Sequence, residues 1–227
     1  MRSFIFICLS GLSILVNGQK PLKPFSGELL FTAQRVIPMD SAQESMLIYA
    51  KDSLLKVINF SSQMGKQELI KHLSKEKSYL LLETTKGNFA IRTNYNKYED
   101  TTLTYTYKKK LGSKKICNKK AKKIIVRFKE IDKDFTFYYY KNIPAIYGSA
   151  YTSFPGLVAE YYLPSDYGLV KYTLQEIRPI DPPLNLFMIP EKYKRVSLDE
   201  FLEEMSKPWA LFNIALCKLI PGQQKSL

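Results

Sequence analysis

Short apolar and aromatic runs, broken by turn-forming residues about every eight to twelve positions, occupy the chain from Phe25 to Arg178. This spacing predicts consecutive β-strands joined by short turns. Before residue 195 no apolar pattern of helical period is long enough to place a helix between two strands, which argues against a βαβ layout. The pattern therefore predicts a mainly β fold in which a single antiparallel meander forms a barrel or a sandwich.

Two turns and one strand end are predicted from local residue types. Asp52 predicts a tight hairpin. Pro155-Gly156 predicts a type II turn in which the glycine takes the position that needs a positive φ. Ile189-Pro190 is predicted to end the last strand because proline has no amide hydrogen to donate. The strands themselves are predicted at Phe25–Ile37, Ser45–Lys51, Ser53–Phe60, Lys66–His72, Ser78–Glu83, Asn88–Thr93, Thr101–Tyr107, Ile124–Lys129, Phe135–Tyr140, Leu157–Leu163 and Gly168–Arg178.

The last thirty residues change from a strand pattern to a helical one. Ser197 and Glu200 have the spacing of a capping box, in which each side chain accepts a hydrogen bond from the other residue's amide. A stripe of helical period follows at Leu198, Phe201, Leu202 and Met205, and a second apolar segment covers Trp209 to Ile220. We expect these segments to pack on the sheet as a helical cap, with interfacial membrane contact as the alternative.

The first eighteen residues read as a secretory signal peptide. Arg2 supplies the positive charge, Phe4 to Val16 is apolar but shorter than a membrane-spanning helix, and cleavage is expected after Gly18. The alternative is an uncleaved membrane anchor. The predicted organisation is a signal peptide at 1–18, a β domain at 19–196 and a C-terminal helical segment at 197–227, in a protein exported to the periplasm or cell envelope.

Many predicted strands are continuous apolar runs and do not alternate, so both of their faces need cover. One face is expected to form the core, and the other to meet the C-terminal helices, a partner or an apolar ligand such as an acyl chain. The side chains expected to line such a cleft are Phe31, Met46, Ile48, Leu55, Val57, Leu80, Leu82, Phe137, Tyr139, Leu157 and Tyr161. Complete filling of the cleft by the helices is the alternative.

Charge adds a second candidate surface, because the chain carries a formal net charge of +13. Nine lysines and no acid fall between residues 108 and 123, a density that an anionic partner would relieve. They are Lys108, Lys109, Lys110, Lys114, Lys115, Lys119, Lys120, Lys122 and Lys123. An anionic membrane surface is one expected partner and nucleic acid is not, since no binding motif accompanies the run. The alternative is a solvated hairpin that protects a sheet edge from aggregation.

Catalytic chemistry is poorly represented. The single histidine, His72, has no second histidine to join it, and we expect neither a catalytic residue, nor a metal site, nor a cofactor. Lysines around Cys117 are expected to lower its thiol pKa. Cys117 and Cys217, the two cysteines outside the signal peptide, either form a disulfide in an oxidising compartment or remain packed thiols.

Three stretches resemble a secreted family of the Bacteroidetes type, the GLPGLI family and its relatives. The first comprises Ile37 to Ser41, Met46 to Lys51 and Met64 to Gln67; the second comprises Tyr138 to Pro144 and Phe154 to Glu160; the third is Phe187 to Lys194. The second departs from the family motif by Phe154 and Val158 in place of leucines. The resemblance covers about residues 25–205 and implies a lipoprotein-carrier (LolA/LolB-like) half-barrel, a curved antiparallel sheet with a helical cap.

Together these observations predict an exported, non-catalytic envelope protein that binds a lipid or acyl chain in a half-barrel cleft. The alternative is a structural or protein-interaction domain with a filled core and no small-molecule ligand. An envelope protein partner is left unidentified in either case.

Overall fold

The protein is described by a computed structural model that covers residues 24–61, 65–93, 104–129, 131–165 and 168–206. The strands are β1 (Gly27–Ile37), β2 (Met39–Lys51), β3 (Leu54–Ser61), β4 (Gly65–His72), β5 (Lys77–Thr84), β6 (Gly87–Thr93), β7 (Tyr105–Ile116), β8 (Lys119–Phe128), β9 (Lys133–Tyr140), β10 (Leu157–Ser165), β11 (Gly168–Arg178) and β12 (Lys194–Val196). The α-helix among the described residues is α1 (Leu198–Ser206).

The twelve strands form one curved sheet in the order β12-β6-β5-β4-β3-β2-β1-β11-β10-β9-β8-β7. The sheet is unclosed, because its end strands β12 and β7 do not pair with each other. Every pairing is antiparallel except that of β12 with β6, and β1 joins the two halves by pairing with β11. This confirms the mainly β fold with a C-terminal helix that the sequence and the resemblance predict.

The predicted strands are largely confirmed, but the boundaries of three differ. β2 begins at Met39 instead of Ser45, β7 continues through the lysines to Ile116, and β8 begins at Lys119. The lysine run is therefore a β-hairpin, because main-chain pairing satisfies the backbone whatever the side chains and leaves the lysines in solvent. Asp52, with a φ of 50°, lies at the predicted tight turn between β2 and β3.

The inner face of the sheet is covered by the connection between β9 and β10, here named the inner plug (residues 141–156). Cross-strand partners share a face, and the pairs Leu29–Ile48 and Ile48–Val57 mark this one. Three rings of the plug, Tyr147, Tyr151 and Phe154, are at most 5% exposed and belong to the same core as these aliphatic residues. The hollow is thus filled by the chain's own loop.

The outer face of β2 to β6 is covered by a second connection, named the strap (residues 179–193). Lys51 binds the start of the strap through Asp181 at 2.8 Å, and Tyr193 binds its end by donating to Glu83 at 2.8 Å. Between these ties Phe187 is almost completely buried. Both faces of the apolar strands are therefore covered, as their sequences require.

The helix α1 begins at the predicted capping box. The Glu200 amide donates to Ser197 Oγ at 3.2 Å, and the Ser197 amide donates to Glu200 Oε2 at 2.6 Å. Phe201 packs on Phe89 with ring centroids 5.3 Å apart. The predicted apolar stripe is only half correct, because Leu198 and Leu202 are about half exposed. The helix covers one end of the inner face, while the inner plug covers its centre.

Two predictions on local turns are wrong. Gly156 does not have a positive φ; a Cβ there would collide with the carbonyl oxygen of Tyr140, so close backbone approach explains this glycine. Ile189-Pro190 lies in the strap and not at a strand end, and the carbonyl of Pro190 accepts from the Tyr193 amide. The edge strand β12 was not predicted, because three residues carry too weak a pattern.

Candidate functional site

The lysine-rich hairpin of β7 and β8 ends in a two-residue turn at Cys117 and Asn118. Both residues have positive φ values, of 46° and 59°, which suits the twist of a tight hairpin. Directly before the turn Ile116 pairs with Lys119. The tip of this hairpin does not project into solvent alone, because Ile116 is buried.

The hairpin tip is anchored on neighbouring strands by hydrogen bonds to its backbone and to its thiol. The Tyr140 hydroxyl, on β9, donates to the carbonyl oxygen of Ile116 at 2.5 Å. The Cys117 thiol donates to the carbonyl oxygen of Leu174, on β11, at 3.3 Å. Burial is the main reason that the pKa of Tyr140 lies above its ordinary value. The tip therefore has a fixed position across β9 to β11.

One lysine of the run is held by a buried acid. Lys114 Nζ lies 2.7 Å from Oε2 of Glu160, whose side chain is only 8% exposed. Lys171 Nζ approaches the same oxygen at 3.5 Å, and the Lys114 ammonium also lies 5.5 Å from the ring centroid of Tyr138. Lys114 is thus an internal ion-pair partner, and the expectation that it contacts an external anion is corrected.

The other eight lysines of the run have no salt bridge to a carboxylate within the described ranges. Seven of them are exposed and Lys123 is half buried. Their charges are therefore available to an anionic partner, and Coulomb repulsion between them is relieved only by solvent and counterions.

A concave site lies between the hairpin tip and the end of β9, and we name it the hairpin pocket. Its volume is about 460 Å³, and its lining is Lys119, Lys120, Lys122, Tyr140, Lys141, Asn142 and Ile143. Tyr140 and Ile143 are buried and form an apolar part, while the four lysines and Asn142 are exposed around it. The lining contains four cationic groups and no carboxylate, a combination that suits an anion attached to an apolar body.

A second feature of the hairpin is an exposed apolar residue among the lysines of β7. The pairing of β7 with β8 is interrupted between Lys109 and Ser113, and Gly112 there has a φ of 119°. Leu111 in this interruption is 100% exposed. An apolar side chain next to Lys108, Lys109 and Lys110 is typical of segments that contact the interface of an anionic membrane.

The side chains predicted to line an open cleft are packed. Those in the main core are Phe31, Met46, Ile48, Leu55, Val57, Phe137, Tyr139, Leu157 and Tyr161, each at most 4% exposed. Tyr151 of the inner plug lies 5.2 Å from Phe137 and 5.6 Å from Tyr161 between ring centroids. Leu80 and Leu82 are half buried, and Leu82 packs near Phe201 of α1. Nine of the eleven therefore present no surface to a ligand in this structure.

The two reactive residue types also differ from expectation. The pKa of the Cys117 thiol is raised, since burial outweighs the lowering by its hydrogen bond with Tyr140 and by Lys119. The expectation of a lysine-activated thiolate is therefore wrong. Cys117 is a free thiol, and its candidate partner Cys217 lies outside the described residues.

Sequence reasoning placed Lys119, Lys120 and Lys122 on the candidate surface but missed the other wall of the hairpin pocket. Lys141, Asn142 and Ile143 follow the end of β9, and antiparallel pairing of Lys122 with Tyr139 brings them beside the hairpin tip. The signal was present in the sequence as a lysine and an asparagine directly after an aromatic strand.

Comparisons with known proteins add no family to these observations: no family model matches the sequence, and a search of curated proteins finds no match. The similarity to the GLPGLI family stays a prediction. Within the part of the chain that the structure describes, no helix has the length and apolarity needed to cross a membrane.

Proposed function

We propose that this chain is an exported, non-catalytic envelope protein that binds anionic amphipathic molecules through the lysine-rich hairpin. The ligand class is a lipid that bears a phosphate or another acidic head group. The single observation that carries the proposal is the hairpin pocket, in which four lysines and no acid surround an apolar floor of Tyr140 and Ile143.

Three properties of the hairpin support binding at a membrane surface. Eight lysines of the run lack an ion pair within the described residues. Leu111 provides an apolar contact beside them, and the anchored tip keeps the lysines of β8 in fixed register with β9. A pre-positioned cationic surface loses less conformational freedom on binding than a flexible one does.

The proposed site lies outside the hollow of the sheet. A lipid within the hollow would have to displace Tyr147, Tyr151 and Phe154, all of which are buried. Removing three packed aromatic side chains from a core is energetically unfavourable. The acyl chains of a bound lipid are therefore assigned to the surface beside Leu111 or to the bilayer itself.

A second candidate is a protein-interaction domain, favoured by the exposed edge of β7. This strand is twelve residues long, and its outer edge is unpaired within the sheet. Such an edge can accept a strand from another protein, although lysines normally discourage this pairing. An acidic extended segment would be the suitable partner.

Sedimentation with lipid vesicles tests the lipid proposal. We expect the full chain to bind vesicles rich in phosphatidylglycerol, to release them at high salt and to ignore pure phosphatidylcholine. Replacement of Lys119, Lys120 and Lys122 by glutamine should lower the partition coefficient on the order of a hundredfold, at roughly 1 kcal/mol per lysine.

A matched control replaces Lys75, Lys77 and Lys129, three exposed lysines away from the hairpin pocket, and removes the same charge. It should retain most of the vesicle binding. Equal losses in the two triple variants would show that only net charge matters and would contradict the proposed site.

A further inference from the structure

A second basic cavity lies on the opposite half of the sheet, between the strap and the outer face of β4 and β5. We name it the strap pocket. Its volume is about 290 Å³, and its lining is His72, Lys75, Lys77, Tyr79, Phe187, Met188, Ile189 and Arg195. These residues come from four parts of the chain that only the fold brings together: the β4–β5 hairpin, its connecting turn, the strap and the edge strand β12.

The register shows how the basic side chains converge. His72 on β4 pairs directly with Lys77 on β5, and Tyr79 pairs with Ile70, two residues before His72. Arg195 on β12 is the partner of Ala90, which is in turn the partner of Leu81 on β5. His72, Lys77, Tyr79 and Arg195 therefore share the outer face, and Lys75 lies in the connecting turn.

The strap pocket contains four basic groups and no carboxylate. Within the described ranges, no salt bridge involves His72, Lys75, Lys77 or Arg195. Lys77 lies directly opposite His72, and like charges at such a position repel each other when the imidazole is protonated. An anion between them would convert this repulsion into attraction.

The opposite wall is apolar. Phe187 is buried and gives the strap a fixed position, whereas Met188 is 65% exposed and Ile189 is half buried. The ties of Lys51 to Asp181 and of Tyr193 to Glu83 hold the strap at both ends. The pocket therefore offers an apolar surface within a few ångströms of a cluster of cations, which suits an anionic group on an apolar molecule.

We propose that the strap pocket binds a tetrahedral oxyanion, such as sulfate or phosphate, on a molecule whose apolar part packs against Met188 and Ile189, and that protonation of His72 strengthens the binding. This inference does not depend on the lipid function assigned to the hairpin. Arg195 and Lys77 supply charge at every physiological pH, and His72 adds a third charge only in acid.

The sign of the pH dependence follows from the surroundings of His72. Burial, followed by the charges of Lys75 and Lys77, holds its pKa below the ordinary value of 6.5. Tyr79 and Arg195 are the other titratable or charged groups of the pocket, and neither is an acid. The imidazole is therefore mainly neutral above pH 6.5 in the free protein. A bound anion favours the protonated form, so it raises this pKa and binds more tightly as the pH falls.

Calorimetric titration of the full chain with sodium sulfate and with phenyl sulfate tests the proposal, because neither anion changes its charge between pH 5 and pH 8. We expect saturable binding with a dissociation constant below about 10 mM that is at least threefold tighter near pH 5 than near pH 7.5. Phenyl sulfate should bind more tightly than sulfate. Equal or weaker binding of phenyl sulfate would assign the site to a free anion and overturn the apolar contact.

Variants locate the binding. Lys77→Gln and Arg195→Gln should each weaken sulfate binding about tenfold through loss of a charge-assisted hydrogen bond, whereas Lys108→Gln, with the same change in net charge, should not. His72→Gln should abolish the difference between pH 5 and pH 7.5. If Lys77→Gln binds sulfate as Lys108→Gln does, the site is wrong.

The chain contains one histidine, so a single imidazole resonance reports on the site. Saturation with sulfate should raise the pKa of His72 by at least about half a unit, corresponding to the threefold change in affinity. An unchanged pKa would overturn the role of His72 even if sulfate bound elsewhere. Vesicle binding by Lys77→Gln should stay normal, which separates failure here from failure of the hairpin function.

Discussion

Lys114 Nζ lies 2.7 Å from the buried carboxylate of Glu160, so one member of the lysine run stabilises the fold while its neighbours face solvent. We predict that Lys114→Met lowers the free energy of unfolding by roughly 1–3 kcal/mol, because Glu160 would keep only Lys171 at 3.5 Å as a charged partner. Urea denaturation monitored by circular dichroism measures this change.

Lys115→Met is the matched control for that prediction. Lys115 is the next residue along β7, is exposed, and has no salt bridge to a described carboxylate. Its replacement should change stability by no more than about 0.5 kcal/mol. Equal effects of the two substitutions would contradict a structural role for the Lys114–Glu160 pair.

The inner plug is predicted to contribute strongly to stability. Tyr151→Ala should cost about 3–5 kcal/mol, because this ring is 1% exposed and packs among Phe137, Phe154 and Tyr161. Tyr151→Phe should cost only about 0.5–1.5 kcal/mol, through loss of the hydrogen bond to the Tyr162 carbonyl at 2.5 Å. Denaturation of both variants checks this order, with the exposed Leu184→Ala as the neutral reference.

Gly156→Ala should destabilise the protein by about 1–3 kcal/mol or more, because the added methyl group meets the carbonyl oxygen of Tyr140. Tyr140 also anchors the hairpin tip through Ile116, so the substitution should weaken vesicle binding as well. Thermal unfolding and vesicle sedimentation measure the two effects. An unchanged melting temperature would show that the backbone at this point can separate freely.

Acid should weaken the fold through Glu68. Burial raises the pKa of this carboxyl, but hydrogen bonds from Lys56 at 2.7 Å and from Lys66 outweigh burial and hold the pKa below 4.5. The unfolded chain then takes up the proton first. The stabilisation is therefore present above about pH 4.5 and is lost as the pH falls through the lower folded value.

Melting temperatures of Glu68→Gln and of the unmodified chain, measured from pH 6 to pH 3, test this sign. The unmodified chain should lose stability more steeply with acid than Glu68→Gln does. Glu191→Gln, which changes an exposed carboxylate on the strap, should keep the steep slope. Parallel curves for all three proteins would refute the role of Glu68.

Local patterns were sufficient for most strands and for the helix start. The range Gly168–Arg178 was predicted to the residue, and the reciprocal bonds of Ser197 and Glu200 follow from their spacing alone. The apolar runs also indicated that both sheet faces are covered. These features depend on neighbouring residues, whose geometry the sequence encodes directly.

The identity of the covering segments could not be read from those patterns. The sequence suggested the C-terminal helices as the cover of the inner face, whereas residues 141–156 occupy it, with no helical or strand period to reveal them. The hairpin pocket likewise needs Lys120 and Lys141 to meet across β8 and β9. Such meetings depend on strand order, which is set by long-range pairing.

The sequence by itself determined a β-rich chain with a capped terminal helix and a dense cluster of lysines, because alternation, turn residues and charge are local properties. Only the tertiary structure decided which lysine is paired with a buried acid, which loop fills the hollow, and where basic side chains converge on an apolar wall. The physical reason is that burial and charge pairing arise between residues far apart in sequence, as Lys114 with Glu160 and His72 with Arg195 illustrate.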